Sequence, residues 1–338
     1  MNKIFFAVVI VLVSFFSIFA EIKFQTPVKA ISIGFPPSFD YLAQSPGSDT
    51  VYSRDGVFNV KTGVSYNIPG VAAIDWDGLH NIWYCLVNSN LLTVKNTAGQ
   101  QTSYSLADGK GFGIIHAIKF SEGTIVVGSD SGLSITTPVN GKPGTWTNFS
   151  TKPITEVVAG HGQIWAISVN TLYRDSAGTL LTYNNILPAS TDLALYPSHG
   201  TLDNDSNFWL SYVKSTKTAF TYETGLAKFN GTWTRYFVRI YDVNETGVTV
   251  DTSVFGKIGV DKNNQLWFVN DLAYGYDFSI GKINLADMSI EKINYIRADS
   301  GVNPSPLTWQ PLTLTITPAG EALFGGFGCF VPVDYGSS

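Results

Sequence analysis

Three side chains able to move a proton or hold an anion recur at one point of a repeating pattern. His116 lies ten residues before Val126, His199 ten before Trp209 and Lys257 ten before Trp267. If those apolar residues mark equivalent strands, the two imidazoles and the amine stand at equivalent places. Around one opening they could bind an anion, share a divalent metal or do acid–base work, because histidine titrates near neutrality. The same count before Trp165 reaches Thr155. It finds no carboxylate matched to complete a metal set or to orient an imidazole. No cofactor is therefore expected, and a divalent metal is unsupported. The chain has no H-E-x-x-H, G-x-S-x-G or Walker-type loop and no Cys–His pairing signal. His80, His161, Asp75 and Asp77 fall at turns, where Asp satisfies backbone donors, and read as structural.

A second set of candidates is aromatic. Residues 214–224, 238–252, 270–278 and 295–311 are long connections that bring together rings, carboxylates and amides. Tyr222, Tyr274, Tyr276, Asp277, Phe278 and Trp309 are the candidate ligand-binding residues. Rings cover the apolar faces of sugars or peptide side chains while neighbouring polar groups fix orientation.

The elements that must position these groups are short strands. Apolar runs centred on Tyr52, Trp83, Val126, Trp165, Trp209, Trp267 and Phe324 follow one another at intervals of 31, 43, 39, 44, 58 and 57 residues. A period of roughly 40 to 45 residues built from short strands is the mark of a β-propeller blade. The clearest unit predicts strands at 71–75, 82–86, 91–95 and 101–106, with turns at Asp77-Gly78 and Ala98-Gly99 and no helical periodicity. Units 3 and 5 share Gly144-Thr145-Trp146-Thr147-Asn148-Phe149 and Gly231-Thr232-Trp233-Thr234-Arg235-Tyr236 as outer strands. The expected fold is an all-β, seven-bladed propeller, with six or eight blades less favoured. The last unit supplies three strands, near 312–317, 321–325 and 328–333. The N-terminal stretch 22–33 is expected to add the fourth and so remove an exposed sheet edge. One aromatic per blade at a fixed strand position reads as packing between sheets.

In a four-stranded meander, the corners between second and third strands share a face with the links between blades. The four long connections therefore gather on one face of blades 5 to 7, at the mouth where the first strands begin. Insertions collected on one face of a repeat protein often mark its binding face.

The Asp–turn–apolar–Trp core followed by Gly-Leu, as at Gly132-Leu133 and Gly225-Leu226, resembles the two-component-regulator propeller repeat. It is also similar to the NHL repeat and, more distantly, to virginiamycin B lyase propellers. The resemblance covers most of the chain after residue 20 and implies the fold. The lyase's catalytic histidine and acidic set have no clear counterparts here.

Composition bounds the partners. Lys3 followed by the apolar stretch 4–16 and Ile18-Phe19-Ala20 reads as a signal peptide over residues 1–20, leaving one propeller domain over 21–338. The apolar stretch is short for a membrane span, and no second one follows, so a secreted, extracellular protein is expected. With 21 Lys and Arg against 26 Asp and Glu and no basic cluster, nucleic acid and anionic membrane are unexpected partners. Asn148, Asn204, Asn230 and Asn244 head N-x-S/T sequons, candidate glycosylation sites on a secretory route. Cys85 and Cys329 are expected as separate buried thiols with blade 1 between them. Nothing demands an oligomer, and a monomer is expected. The sequence thus points first to a secreted, non-catalytic propeller that binds a glycan, peptide or protein partner. The alternative is a lyase or hydrolase working at the channel mouth around His116, His199 and Lys257.

Overall fold

A computed structural model describes residues 31–32, 42–53, 56–59, 65–66, 70–105, 111–149, 151–168, 171–176, 178–183, 193–216, 222–236, 241–243, 249–251, 255–270, 278–294, 311–326 and 329–332. These residues form seven four-stranded sheets and one two-stranded sheet, with every strand pair antiparallel. Six of the four-stranded sheets are consecutive meanders. In the seventh, Pro311–Ile316, Ala322–Gly326 and Cys329–Pro332 are joined by Ile31–Ser32, which pairs with Cys329 and Phe330. The first strands of neighbouring sheets touch one another from Val71–Trp76 through Pro311–Ile316, and that last strand touches Leu42–Gln44 of the first sheet. The first strands are therefore the edges at which successive sheets meet. Residues 1–20, expected as a signal peptide, lie outside the described residues. Among the described residues no helix is long and apolar enough to cross a membrane.

The strands fall where the periodicity places them. In the second sheet they are Val71–Trp76, Ile82–Leu86, Leu92–Lys95 and Gln101–Tyr104. His80 and His161 occupy left-handed turn positions, at φ of 60° and 51°.

A buried carboxylate at the first turn organises three of the sheets. Asp203 Oδ1 accepts the N–H groups of Asp205 and Asn207, and Oδ2 accepts the indole N–H of Trp209 at 2.8 Å. Asp77 and Asp261 do the same for Trp83 and Trp267. In the fourth sheet Gln163 Oε1 takes the indole of Trp165 instead. All four indoles are buried between sheets. A cation on the third strand covers three of them: Arg174 over Trp165, Lys228 over Trp209 and Lys282 over Trp267, each 5.2 to 5.4 Å from the ring centroid. Such contacts are worth about 0.5 to 1 kcal/mol at exposed sites. The tryptophans are packing residues, as expected, and each also has a polar tether.

Cys85 is buried in the second strand of its sheet, with its thiol pushed up to about 12 by burial. It is an apolar filler there and not a reactive thiolate. Cys329 sits in the third strand of the last sheet.

Replacing Asp203 by Ala strands the buried indole of Trp209 and removes the partner of the half-buried Asn207 amide. A loss of about 1–3 kcal/mol is expected, read by urea unfolding. Replacing the neighbouring exposed Asp205 should cost a few tenths at most.

Candidate functional site

The turns at one end of the sheets are stitched to one another. Phe120 N–H donates to Asp75, Gly162 N–H to Glu122 and Gln163 Nε2 to the carbonyl of Ser206. Asn204 Nδ2 reaches the carbonyls of Asp261 and Lys262, and Lys262 N–H that of Gly320. That face is committed to holding the sheets together. The Asn204 amide is consumed in this work, whereas Asn148 and Asn230 stand exposed on outer edges. Asn244 lies outside the described residues.

At the other end, the starts of the first strands carry different chemistry. Counting from the ladder, Val157 faces Ala166, Gly200 faces Leu210 and Ile258 faces Phe268, each one residue beyond the buried Trp. The residues just before them are Glu156, His199 and Lys257. These three occupy the same rung of three successive sheets. The corresponding residues in the second and third sheets are Ala73 and Ala117.

The three side chains converge. His199 Nδ1 donates to Glu156 Oε2 at 2.6 Å, and Lys257 Nζ donates to the same oxygen at 2.9 Å. The Gly200 N–H approaches Oε1 at 3.4 Å. A Cβ at Gly200 would lie 2.8 Å from the Phe208 ring, so only glycine lets the backbone come this close. The Glu156 side chain is 12% exposed, against 33% for His199 and 31% for Lys257. Burial pushes the Glu156 carboxyl up, but the Lys257 ammonium and the His199 imidazole outweigh it and hold it at about 2. An ionised carboxylate only accepts, so the His199 proton facing it sits on Nδ1.

The backbone behind the cluster is fixed by one buried hydroxyl. Ser211 Oγ accepts the His199 N–H at 3.1 Å and lies 3.3 Å from the carbonyls of His199 and Gly256. The pairing register shifts at both places, between Pro197 and His199 and between Phe255 and Ile258. Bulges of this kind re-aim side chains at barrel rims.

His116 belongs to a separate pair. Its Nε2 contacts Asp130 Oδ1 at 2.8 Å within the third sheet, and Ile114 N–H donates to Asp130 Oδ2 at 3.1 Å. The hydrogen bond from His116 holds the exposed Asp130 carboxyl below the usual range. The structure thus joins His199 to Lys257 through a shared carboxylate and gives His116 a partner of its own. Both imidazoles have the orienting carboxylates that residue counting did not find. Thr155, reached by that count, instead hydrogen-bonds its own sheet through the Ile167 carbonyl. Glu156 was legible only by allowing for the fourth sheet's turn. Four residues separate Ala159 from its partner Ile164, whereas five separate Leu202 from Phe208.

Of the aromatic candidates, Tyr222 lies in a strand opposite Ser215, and Phe278 in a strand opposite Asn294. Tyr274, Tyr276, Asp277 and Trp309 lie outside the described residues. Part of the connection expected over 214–224 is strand: Phe208–Thr216 and Tyr222–Phe229 form a long hairpin. Within 238–252, Tyr241–Val243 pairs with Thr249–Asp251 as a small hairpin. Among the described residues no group of three or more His, Cys, Asp or Glu is placed to hold a metal ion.

No protein-family model matches the chain, and no curated protein sequence matches it. Solved structures do, in fold. A catalytically inactive virginiamycin B lyase from Staphylococcus aureus with quinupristin superposes with a TM-score of 0.58 at 14% identity, covering 90% of this chain and 98% of that one. The extracellular domain of a putative hybrid two-component system from B. thetaiotaomicron gives 0.61 at 13%, covering 93% of this chain and 40% of that one. YCF48 bound to D1 peptide gives 0.60 at 10%, covering 94% and 99%. The chain has the β-propeller fold, and the likeness carries fold alone.

Glu156 sets a sign for acid sensitivity. Its carboxyl is held at about 2, below the ordinary 4.5, so the stability it contributes is complete above about pH 4.5 and is lost as pH falls toward 2. Urea unfolding measured from pH 6 to 2 should show this loss in the wild type and a flatter profile in Glu156→Gln. Parallel profiles would exclude Glu156 as the titrating group.

Proposed function

We propose that the chain is a secreted, non-catalytic β-propeller binding module. Its seven blades close through the N-terminal strand at Ile31–Ser32, and its ligand sits on the mouth face of the later blades. Support for the ring comes from the seven four-stranded sheets, the pairing of Ile31 with Phe330, and the contact between the first strands of the last and first sheets. Support for the binding face comes from one observation above all. Glu156, His199 and Lys257 share a rung of three successive blades and meet at one carboxylate oxygen, on the face where blade 5's strands lengthen. The opposite face spends its polar groups on inter-blade bonds. The strands that flank the connections of blades 5 to 7 end at the same mouth, and Tyr222, Tyr274, Tyr276, Asp277, Phe278 and Trp309 are the residues proposed to contact a glycan, peptide or protein. Glycosylation at Asn148 and Asn230 would leave that mouth open.

A second reading, a lyase or hydrolase, is favoured by a specific feature. A carboxylate fixes the proton of His199 on Nδ1 and so leaves Nε2 to act as a base. The two readings separate by mutation. Replacing residues 271–277 by a two-residue turn should lower affinity at least tenfold for whichever oligosaccharide or peptide raises the melting temperature in a thermal-shift panel. His116→Ala should leave that affinity unchanged. Unchanged affinity in the shortened protein would overturn the binding face proposed here. Turnover of a ligand, abolished in a folded His199→Ala variant, would establish the enzyme instead.

A further inference from the structure

From the geometry of the shared rung we infer that Lys257 and His199 form a seat for a carboxylate group of the ligand. The inference rests on the mouth face being a ligand-binding face, and it specifies the chemistry of the ligand.

The cluster holds one carboxylate against two groups able to carry positive charge. Glu156 Oε2 already accepts from both, and Oε1 faces the Gly200 amide, so the acidic partner is engaged at both oxygens and mostly buried. The basic partners keep donors to spare. An ammonium has three N–H donors, and among the described residues Lys257 donates one, to Glu156. Among the described residues His199 uses Nδ1 alone, which leaves Nε2 for a second partner. Both side chains are about a third exposed, at 31% and 33%, while the carboxylate behind them is 12% exposed. A ligand arriving at the mouth therefore meets an ammonium and an imidazole edge backed by a buried anion.

A carboxylate suits this arrangement. Its two oxygens can take one N–H from Lys257 and one from a protonated His199, with Glu156 remaining to balance the second positive charge. A dianion such as phosphate would sit closer to charge conflict with Glu156. The backbone of both donors is held by Ser211 through the carbonyls at His199 and Gly256, so the seat is formed before ligand arrives. The rung residues of the second and third sheets, Ala73 and Ala117, offer no competing charge.

The test titrates the folded protein with glucuronate and with acetate at matched ionic strength, by calorimetry and thermal shift. A neutral methyl glucoside serves as the comparison. Glucuronate should bind and methyl glucoside should bind at least tenfold more weakly. Lys257→Met should lose at least tenfold in glucuronate affinity, and Lys257→Arg should retain most of it. Lys262→Met, in a turn on the opposite face, should be unchanged. Glu156→Gln carries the distinctive sign: with its own carboxylate gone, the seat should bind acetate at least tenfold more tightly, and acetate should restore part of the lost melting temperature. Lys257→Met binding as tightly as the wild type would overturn the inference, as would weaker acetate binding in a folded Glu156→Gln variant. If Glu156→Gln does not fold, the Lys257→Met and Lys257→Arg pair decides alone. A neutral sugar or peptide bound through the 271–277 connection, with no response to either carboxylate, would overturn the seat and leave the binding face standing.

Discussion

A buried carboxylate that grips an indole across the first turn is the interaction on which the rest depends. In three sheets an aspartate closes the turn through two or more backbone N–H groups and holds the Trp six residues on by its indole nitrogen. An unpaired charge or indole N–H in so dry a place would be costly. The tie therefore fixes the turn, the tryptophan and the register of the first two strands together. With the register fixed, the distance from the Trp back to the start of the first strand is set as well. That is why His199 and Lys257, in two of the tied sheets, stand on one rung; in the fourth sheet, where Gln163 takes the indole, Glu156 reaches the same rung through a shorter turn.

The rung is not uniform, and its asymmetry sets the two ends of the molecule apart. A ring of identical repeats would carry the same residue in every sheet. Here alanine stands at the second and third sheets, and Glu156, His199 and Lys257 at the next three. One end of the molecule spends its polar groups on linking neighbouring turns. The other leaves an imidazole and an ammonium partly open, with backbone bulges aiming them. Buried ion pairs are weak evidence for stability. A partly open one, built from three different sheets, is the feature on which the proposed ligand site rests.

The repeat, its strands and the packing role of the tryptophans were legible because each depends on local patterning: apolar runs, Asp and Gly turns, one large ring per unit. Lys257 and His199 were legible as equivalents because their turns have equal length. Glu156 was not, because the two-residue turn at His161-Gly162 shortens the count by one and moves attention to Thr155. A carboxylate pairing across three sheets is a tertiary fact with no sequence spacing of its own. The Asp130 partner of His116 was hidden for a similar reason, lying across a hairpin at a bulged strand. The stretch 214–224 looked like a loop because polar residues fill it, yet blade 5's hairpin extends into it, with Ser215 facing Tyr222. Alternation of short polar side chains on a projecting hairpin does not distinguish strand from corner.

The central claim is that the meeting point of Glu156, His199 and Lys257 is where ligand enters. A crystal structure of the protein soaked with glucuronate addresses it most directly. The account predicts a carboxylate within hydrogen-bonding distance of Lys257 Nζ and His199 Nε2, with Glu156 still in place behind them. Glucuronate bound elsewhere, such as the cleft lined by Asn148, Lys152 and Tyr173 between the third and fourth sheets, with the mouth left to water, would contradict it.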